Sequence, residues 1–375
     1  MRILTATIDA GGNTPPTVAI TAELIRRGHE VLVLGHGSQR AAFAATGQRL
    51  REWSSARTWS PRADHPDLRT MLSWLPLASD PGYGRDIAAA VGTDRVDLVL
   101  TDCMIPGALR QIRATGVPVA MLVHAYSGYW RTQWSRKSPM GTWLRLTGAH
   151  PGRRGALPDR LVVTTLPQLD VIPQDRGLLP APTVQTGPVF GSAPTSAARA
   201  DGDAPLLISL STISYPGQQA CLQRILDAFD GMPVRAVATV GTSVNARGLR
   251  PPSNVTVRAF ASHTEMMPRM SAIIGHGGHG TTMLALAHGL PVLMFPQSGH
   301  TDQPLVAASV AAAGAGLTLP RETEVAQIRS SILRLITDRE LRRRAARLGE
   351  QLRAVDGATA AASALESLVK EKAGP

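Results

Sequence analysis

The chain has 375 residues, 43% apolar and 18% charged, with a formal net charge of +11. That length suits two domains of about 150 to 200 residues rather than one, which excludes disordered and fibrous classes at this composition, and no apolar run approaches the roughly 18 to 20 residues of a membrane span. Only Lys137, Lys370 and Lys372 of the 39 basic residues are lysines, and no recognition-helix or aromatic-interleaved basic motif accompanies the charge, so it reads as a solvated arginine-rich surface and not as a nucleic-acid interface.

From Met1 to Ile8 the chain lacks the marks of a secretory signal, and the expectation is a cytoplasmic protein without a membrane span. Arg2 to Ile8 reads as a strand, Thr17 to Arg27 as a helix and Glu30 to Leu34 as a strand, a βαβ unit that implies a parallel sheet. Further strands are expected at Leu98 to Thr101, Val117 to Val123 and Leu161 to Thr164. Cys103 and Cys221 are far apart, with no CxxC pair, and suggest neither a disulfide framework nor a zinc site. All six tryptophans lie in this half, on segments that look like long loops or irregular helices. They read either as core packing or as an aromatic-lined cleft, for which Trp59, Trp74, Tyr126, Trp130 and Trp134 are the candidates for an apolar or aromatic ligand.

Gly191 to Pro205 is small and polar and reads as an interdomain linker. Strands follow at Leu206 to Leu210, Val234 to Val240, Val255 to Arg258, Ala272 to Ile274 and Pro291 to Phe295, a second doubly wound domain. Arg321 to Arg353 reads as an exposed basic helical stretch with a charged helix near Asp338 to Val355, and a final helix runs near Thr359 to Lys370 after a break at Gly357. The expected organisation is 1–190, a linker 191–205, a second domain 206–355, and a C-terminal helix 356–375 returning to the first domain.

The most informative stretch is Ile273 to Leu290, IIGHGGHGTTMLALAHGL. A strand runs into Gly275, His276, Gly277, Gly278, His279 and Gly280, and Thr281 opens a helix. Glycines there let several backbone N–H groups converge at the positive end of a helix, as a diphosphate requires. In the next stretch, PVLMFPQSGHTDQPL, Asp302 and Gln303 supply acceptors and donors that suit vicinal hydroxyls, so a sugar beside the diphosphate is the natural reading. Taken singly, Asp302 also fits a helix N-cap.

Residues 206 to 319 resemble the donor half of the GT-B glycosyltransferases of natural-product pathways, through HGGxGT, the DQ of Asp302 and Gln303 about 20 residues later, here separated from Pro296 by five residues, and the GxG of Gly314 to Gly316. The resemblance implies two Rossmann-like α/β domains facing across a cleft. It also implies an inverting, metal-independent hexosyl- or deoxyhexosyltransferase with no cofactor beyond its dTDP- or UDP-sugar co-substrate. Carried over, His276, Gly278, Gly280 and Thr281 contact the diphosphate, Ser211 and Thr212 form a hydroxyl turn near it, and Asp302 and Gln303 hold the sugar. Ala261 and His263 receive the nucleobase. The acceptor is a small hydrophobic or aromatic natural product, and the protein a monomer or homodimer.

The first half departs from the pattern. The family carries GH near the start of the first helix, the histidine deprotonating the acceptor, whereas this chain has Gly12 and Asn13. An amide has no basic site at neutral pH, which leaves Asn13 an orienting role toward the acceptor. Asp9, Asp102 and His124 follow expected strands and face the same sheet edge. In the family an Asp at the place of Asp102 orients the catalytic histidine, and an Asp102–His124 pair keeps that logic with the histidine relocated. Competing readings are a non-catalytic helper that binds nucleotide sugar, a GT-B epimerase, and a lipid glycosyltransferase.

Overall fold

The runs LVLTD and VAMLV show no alternation of polar and apolar residues, as expected of strands covered on both faces, and every residue of both is buried. A computed structural model describes the chain except for residues 58, 60–66, 171–178, 196–203, 212, 242 and 375, and describes only the backbone of 67–71. Most of the expected linker 191–205 therefore lies outside the described residues. The chain divides into two compact units, Met1–Gly191 with Val355–Pro375, and Ser192–Ala354.

The first unit is built on seven parallel strands: β1 Arg2–Ala6, β2 Glu30–Gly35, β3 Leu50–Glu52, β4 Leu98–Asp102, β5 Val119–Val123, β6 Arg160–Val163 and β7 Thr183–Gln185. Their spatial order is β3-β2-β1-β4-β5-β6-β7. The second unit has six parallel strands: β8 Leu206–Ser209, β9 Ala236–Thr239, β10 Val255–Arg258, β11 Ala272–Gly275, β12 Val292–Met294 and β13 Gly316–Thr318, in the order β10-β9-β8-β11-β12-β13. Both sheets are doubly wound. The strands not anticipated, β3, β7 and β13, are three-residue edge strands, too short to show a period.

The first helix, Thr14–Arg26, tolerates Pro15 and Pro16 because they fall in its first turn, where the N–H groups have no helical partner. Its buried stripe, Thr17, Ile20, Thr21 and Leu24, packs against the last helix, Gly357–Ala373, through Ala361, Leu365 and Leu368. Arg27 and His29 both reach Glu366, at 2.9 and 2.8 Å, and Arg160 bonds to the Ala364 carbonyl, Ser367 and Glu371. Gly357 is more than a break. A Cβ there would meet the Pro188 carbonyl at 2.5 Å, so the last helix enters by direct backbone approach.

Two expectations need correction. Arg321 to Arg353 is not one exposed helix but two, Val325–Thr337 and Arg339–Arg353, the second lying where a charged helix is expected near Asp338 to Val355; they are parted by Asp338, whose carboxylate caps the second through Glu340 N and Leu341 N. Each buries one face, Ile328, Ile332 and Leu335 in the first and Leu341, Ala345, Leu348 and Leu352 in the second. The tryptophan segments are also more regular than expected: Trp74, Trp130 and Trp143 sit on helices Asp67–Ser79, Ser127–Gln133 and Pro139–Leu146.

Candidate active site

In the second unit Ser209 pairs with both Thr239 and Gly275, and Gly275 pairs with Met294, so the loops after β8, β9, β11 and β12 leave one carboxyl edge. The order reverses between β8 and β11, where parallel sheets collect ligands. Gly277 has φ +80°, a left-handed turn that brings the loop so close to the next that a Cβ would stand 3.1 Å from the Gln303 carbonyl. A Cβ on Gly278 would lie 2.3 Å from His276 Nε2, so the imidazole rests on that glycine. The helix His279–Ala287 follows, with Gly278 at its N-cap and no side-chain cap. Thr282 N bonds to Gly278 O, which leaves the N–H groups of Gly280 and Thr281 in the first turn without a helical partner.

Burial lowers the pKa of His276 to about 4, against a weaker upward pull from the Ser209 carbonyl. The ring is neutral at pH 7 and has a single N–H rather than a charge, and its Nδ1 is buried without a partner among the described residues. His263 opens the helix His263–Met266, its Nε2 3.4 Å from Thr239 Oγ1 and its pKa lowered by burial; Ala261 lies half-buried just before it.

Asp302 and Gln303, read together from sequence, behave differently. Asp302 stands at the N-cap of Gln303–Ala312 yet makes no capping bond. Desolvation raises its pKa to about 6, against a weaker downward pull from its own backbone N–H. Gln303 is buried and engaged: Oε1 accepts from Gln297 N at 2.7 Å and Nε2 donates to the Tyr215 hydroxyl at 3.1 Å, leaving one amide hydrogen for a ligand. Ser211 Oγ accepts from Ile213 N, and the Ser211 carbonyl accepts from Gln218 and Ser243. Thr212 lies outside the described residues. Sequence reasoning missed Tyr215 and Arg321. Arg321 donates to the carbonyls of Pro216, at 2.9 Å, and Gln297, at 2.8 Å, and so ties the β8 loop to the β12 loop. No local motif marks either residue.

In the first unit the order reverses between β1 and β4. There Asn13, 3% exposed, donates from Nδ2 to Ile8 O and to Asp102 Oδ2, both at 2.7 Å, and accepts from Ala10 N at Oδ1. Asp102 also accepts from Met104 N and, at Oδ2, from His124 Nε2 at 3.1 Å. Asn13, Asp102 and His124 thus form one bonded group. Both amide hydrogens of Asn13 are committed, which corrects the acceptor-orienting role expected of it: it positions the carboxylate instead. Because a carboxylate only accepts, Nε2 carries the imidazole proton, and Nδ1 presents a lone pair. That Nδ1 is buried without a partner among the described residues. Asp9 stands apart. Its carboxylate accepts from Gly11 N and Ser38 Oγ, its N–H donates to His36 Nδ1, and it takes no part in the trio.

The aromatic candidates divide. Tyr126, Trp134 and Trp130 are 0%, 4% and 9% exposed and sit in the hydrophobic core, which corrects their assignment as ligand-lining. Trp59 and Trp74 are half-buried and meet edge to face at 4.5 Å, with His36 6.3 Å from Trp59 and Tyr83 6.4 Å from His36.

Among the described residues no helix is long and apolar enough to cross a membrane. Two parallel, doubly wound sheets with polar groups at each reversal of strand order define a protein of GT-B fold. Its fold is similar to that of the glycotransferase of kitacinnamycin, with a TM-score of 0.76 at 23% identity over 98% of both chains. Glycosyltransferase VinC, solved in complex with dTDP, gives a TM-score of 0.72 at 19% identity over 99% of this chain and 100% of that one. In sequence the chain is 24% identical to 4'-demethylrebeccamycin synthase of Lentzea aerocolonigenes, over 98% of this chain and 99% of that one. Residues 223–368 match the family model described as erythromycin biosynthesis protein CIII-like, C-terminal domain. The chain has a GT-B fold, and the CIII-like match is confined to residues 223–368.

Proposed function

We propose that the protein transfers a sugar from a dTDP- or UDP-sugar to a small hydrophobic or aromatic natural product in the cytoplasm, with inversion at the anomeric carbon and without a metal ion. The Asp102–His124 contact, braced by Asn13, carries this reading. His124 Nδ1 takes the proton of the acceptor hydroxyl as its oxygen attacks the anomeric carbon, and the bond from that carbon to the diphosphate oxygen breaks in the same displacement. The departing charge is met by the N-terminus of the His279–Ala287 helix and by neutral His276 in the tautomer that carries its proton on Nδ1, and Asp302 with Gln303 binds sugar hydroxyls. The base cannot be Asn13, and His124 is the imidazole that Asp102 orients.

Purified protein, incubated with dTDP- and UDP-sugars and a panel of aromatic aglycones, is expected to form glycosides of configuration opposite to the donor, at a rate that EDTA leaves unchanged. Retention of configuration or a metal-dependent rate would overturn the mechanism. The asparagine at the family's histidine position supports a second reading, a helper that binds nucleotide sugar for a partner transferase. Transfer seen only after a second protein is added would establish it.

A further inference from the structure

The turn that presents His124 is strained. Ala125, the next residue, has φ +62°, and the only other non-glycine residue with positive φ among those described, Arg95, ends a helix, where such a backbone is common. Ala125 instead lies in a strand-to-helix turn, between β5 and the Ser127–Gln133 helix. A residue with a Cβ holds this conformation only where its surroundings over-determine it. Three side chains do so. Trp130 Nε1 donates to the His124 carbonyl at 2.9 Å, and Thr165 Oγ1 donates to the Ala125 carbonyl at 2.8 Å. The Asp170 carboxylate accepts from Ser127 N at 3.0 Å, Gly128 N at 3.1 Å and the Ser127 hydroxyl. Both carbonyls flanking the strained bond and the start of the next helix are pinned, two of the three pins coming from the chain just beyond β6.

We infer that Trp130, Thr165 and Asp170 are positioning residues that hold the His124–Ala125 turn in its strained form, so that the imidazole stays against Asp102. The inference rests on the reading of His124 as the base, and it gives buried Trp130 a task other than acceptor contact.

The test is a rescue. Trp130→Phe removes the indole N–H and keeps most of the ring, and Asp170→Asn weakens the helix-start bonds with little change of shape. Each is expected to lower kcat by about tenfold to a hundredfold, the order expected of an ångström-scale misplacement, with the KM of the donor unchanged. Ala125→Gly alone should be nearly neutral, because glycine adopts φ +62° without strain. Added to Trp130→Phe, it should restore most of the lost rate and return the pH–rate profile to the wild-type form. Nitrogen-15 NMR of the histidine rings reads the His124 Nε2–H bond to Asp102 independently of activity. That signal should weaken in Trp130→Phe and recover in the double variant. An unchanged signal and rate in both single variants, or a double variant as slow as Trp130→Phe, overturns the inference. NMR changes as expected alongside a His124→Ala enzyme of full activity would uphold the turn and overturn the base.

Discussion

The two units put polar groups at the same topological point and treat them in opposite ways. At the β8/β11 reversal His276 Nδ1 has no partner among the described residues and Asp302 makes no capping bond, whereas at the β1/β4 reversal Asn13, Asp102 and His124 bond to one another and leave only His124 Nδ1 open. An unpartnered group in a desolvated place carries a penalty that a ligand can remove. Groups already bonded keep their geometry before any ligand arrives. The second unit is arranged to receive, and the first to pre-align.

Breaking the pre-aligned side should have the largest effect. Asp102→Asn puts an NH2 either against the donors of Asn13 and His124 or against Met104 N–H, so a donor meets a donor in both orientations. We expect kcat to fall roughly 10²- to 10⁴-fold, with nucleoside diphosphate affinity, read by calorimetry, nearly unchanged. A wild-type rate would take the trio out of the chemistry.

On the receiving side, Gly278→Ala drives a methyl into the place of the His276 ring. Loss of a donor to a charged phosphate should cost about 1.5 to 3 kcal/mol of nucleoside diphosphate binding, while the acceptor KM stays the same. Equal damage to both substrates would mean that the glycine merely supports the fold.

The Asp302 carboxyl sharpens the comparison through pH. Sugar hydroxyls favour its ionised form, so binding lowers its pKa and expels a proton. The preference for a sugar nucleotide over the bare nucleoside diphosphate should therefore rise with pH and level off above about 6, where free Asp302 is already ionised. Asp302→Asn should flatten that rise. A flat wild-type titration would leave Asp302 without sugar contact.

Arg321→Ala should have the smallest effect. Releasing the two loop carbonyls is expected to raise the donor KM by about threefold, within the ~0.5–1.5 kcal/mol of ordinary hydrogen bonds, and to leave the acceptor KM alone. A rise confined to the acceptor would contradict the tie between the β8 and β12 loops.

Donor-side candidates were legible where the chemistry is local. A glycine loop opening a helix, and an Asp that begins the next helix after a strand, place their groups by backbone geometry over a few residues. First-unit candidates were legible as strand ends and as a helix start, with the Asp102–His124 pair read only through the family resemblance. Asn13 and Asp102 are 89 residues apart and Asp102 and His124 are 22, and nothing in the spacing says that Asn13 and His124 both turn to one carboxylate oxygen of Asp102. Tyr215 with Gln303, 88 apart, and Arg321 with Pro216, 105 apart, had no sequence signal at all.

The sequence by itself determined the two parallel sheets, through apolar runs of strand length alternating with helical periods, and the anion-binding loop, through its glycines. Only the tertiary structure decided which way side chains face. Helix Ser127–Gln133 turns Trp130 into the core, although on paper the ring served equally well as a cleft wall. Side-chain direction depends on what packs against each face, and those neighbours arrive from distant segments. The left-handed backbone at Ala125 is the clearest case: alanine has no local preference for it, and bonds from Trp130 and Thr165 around it hold it there.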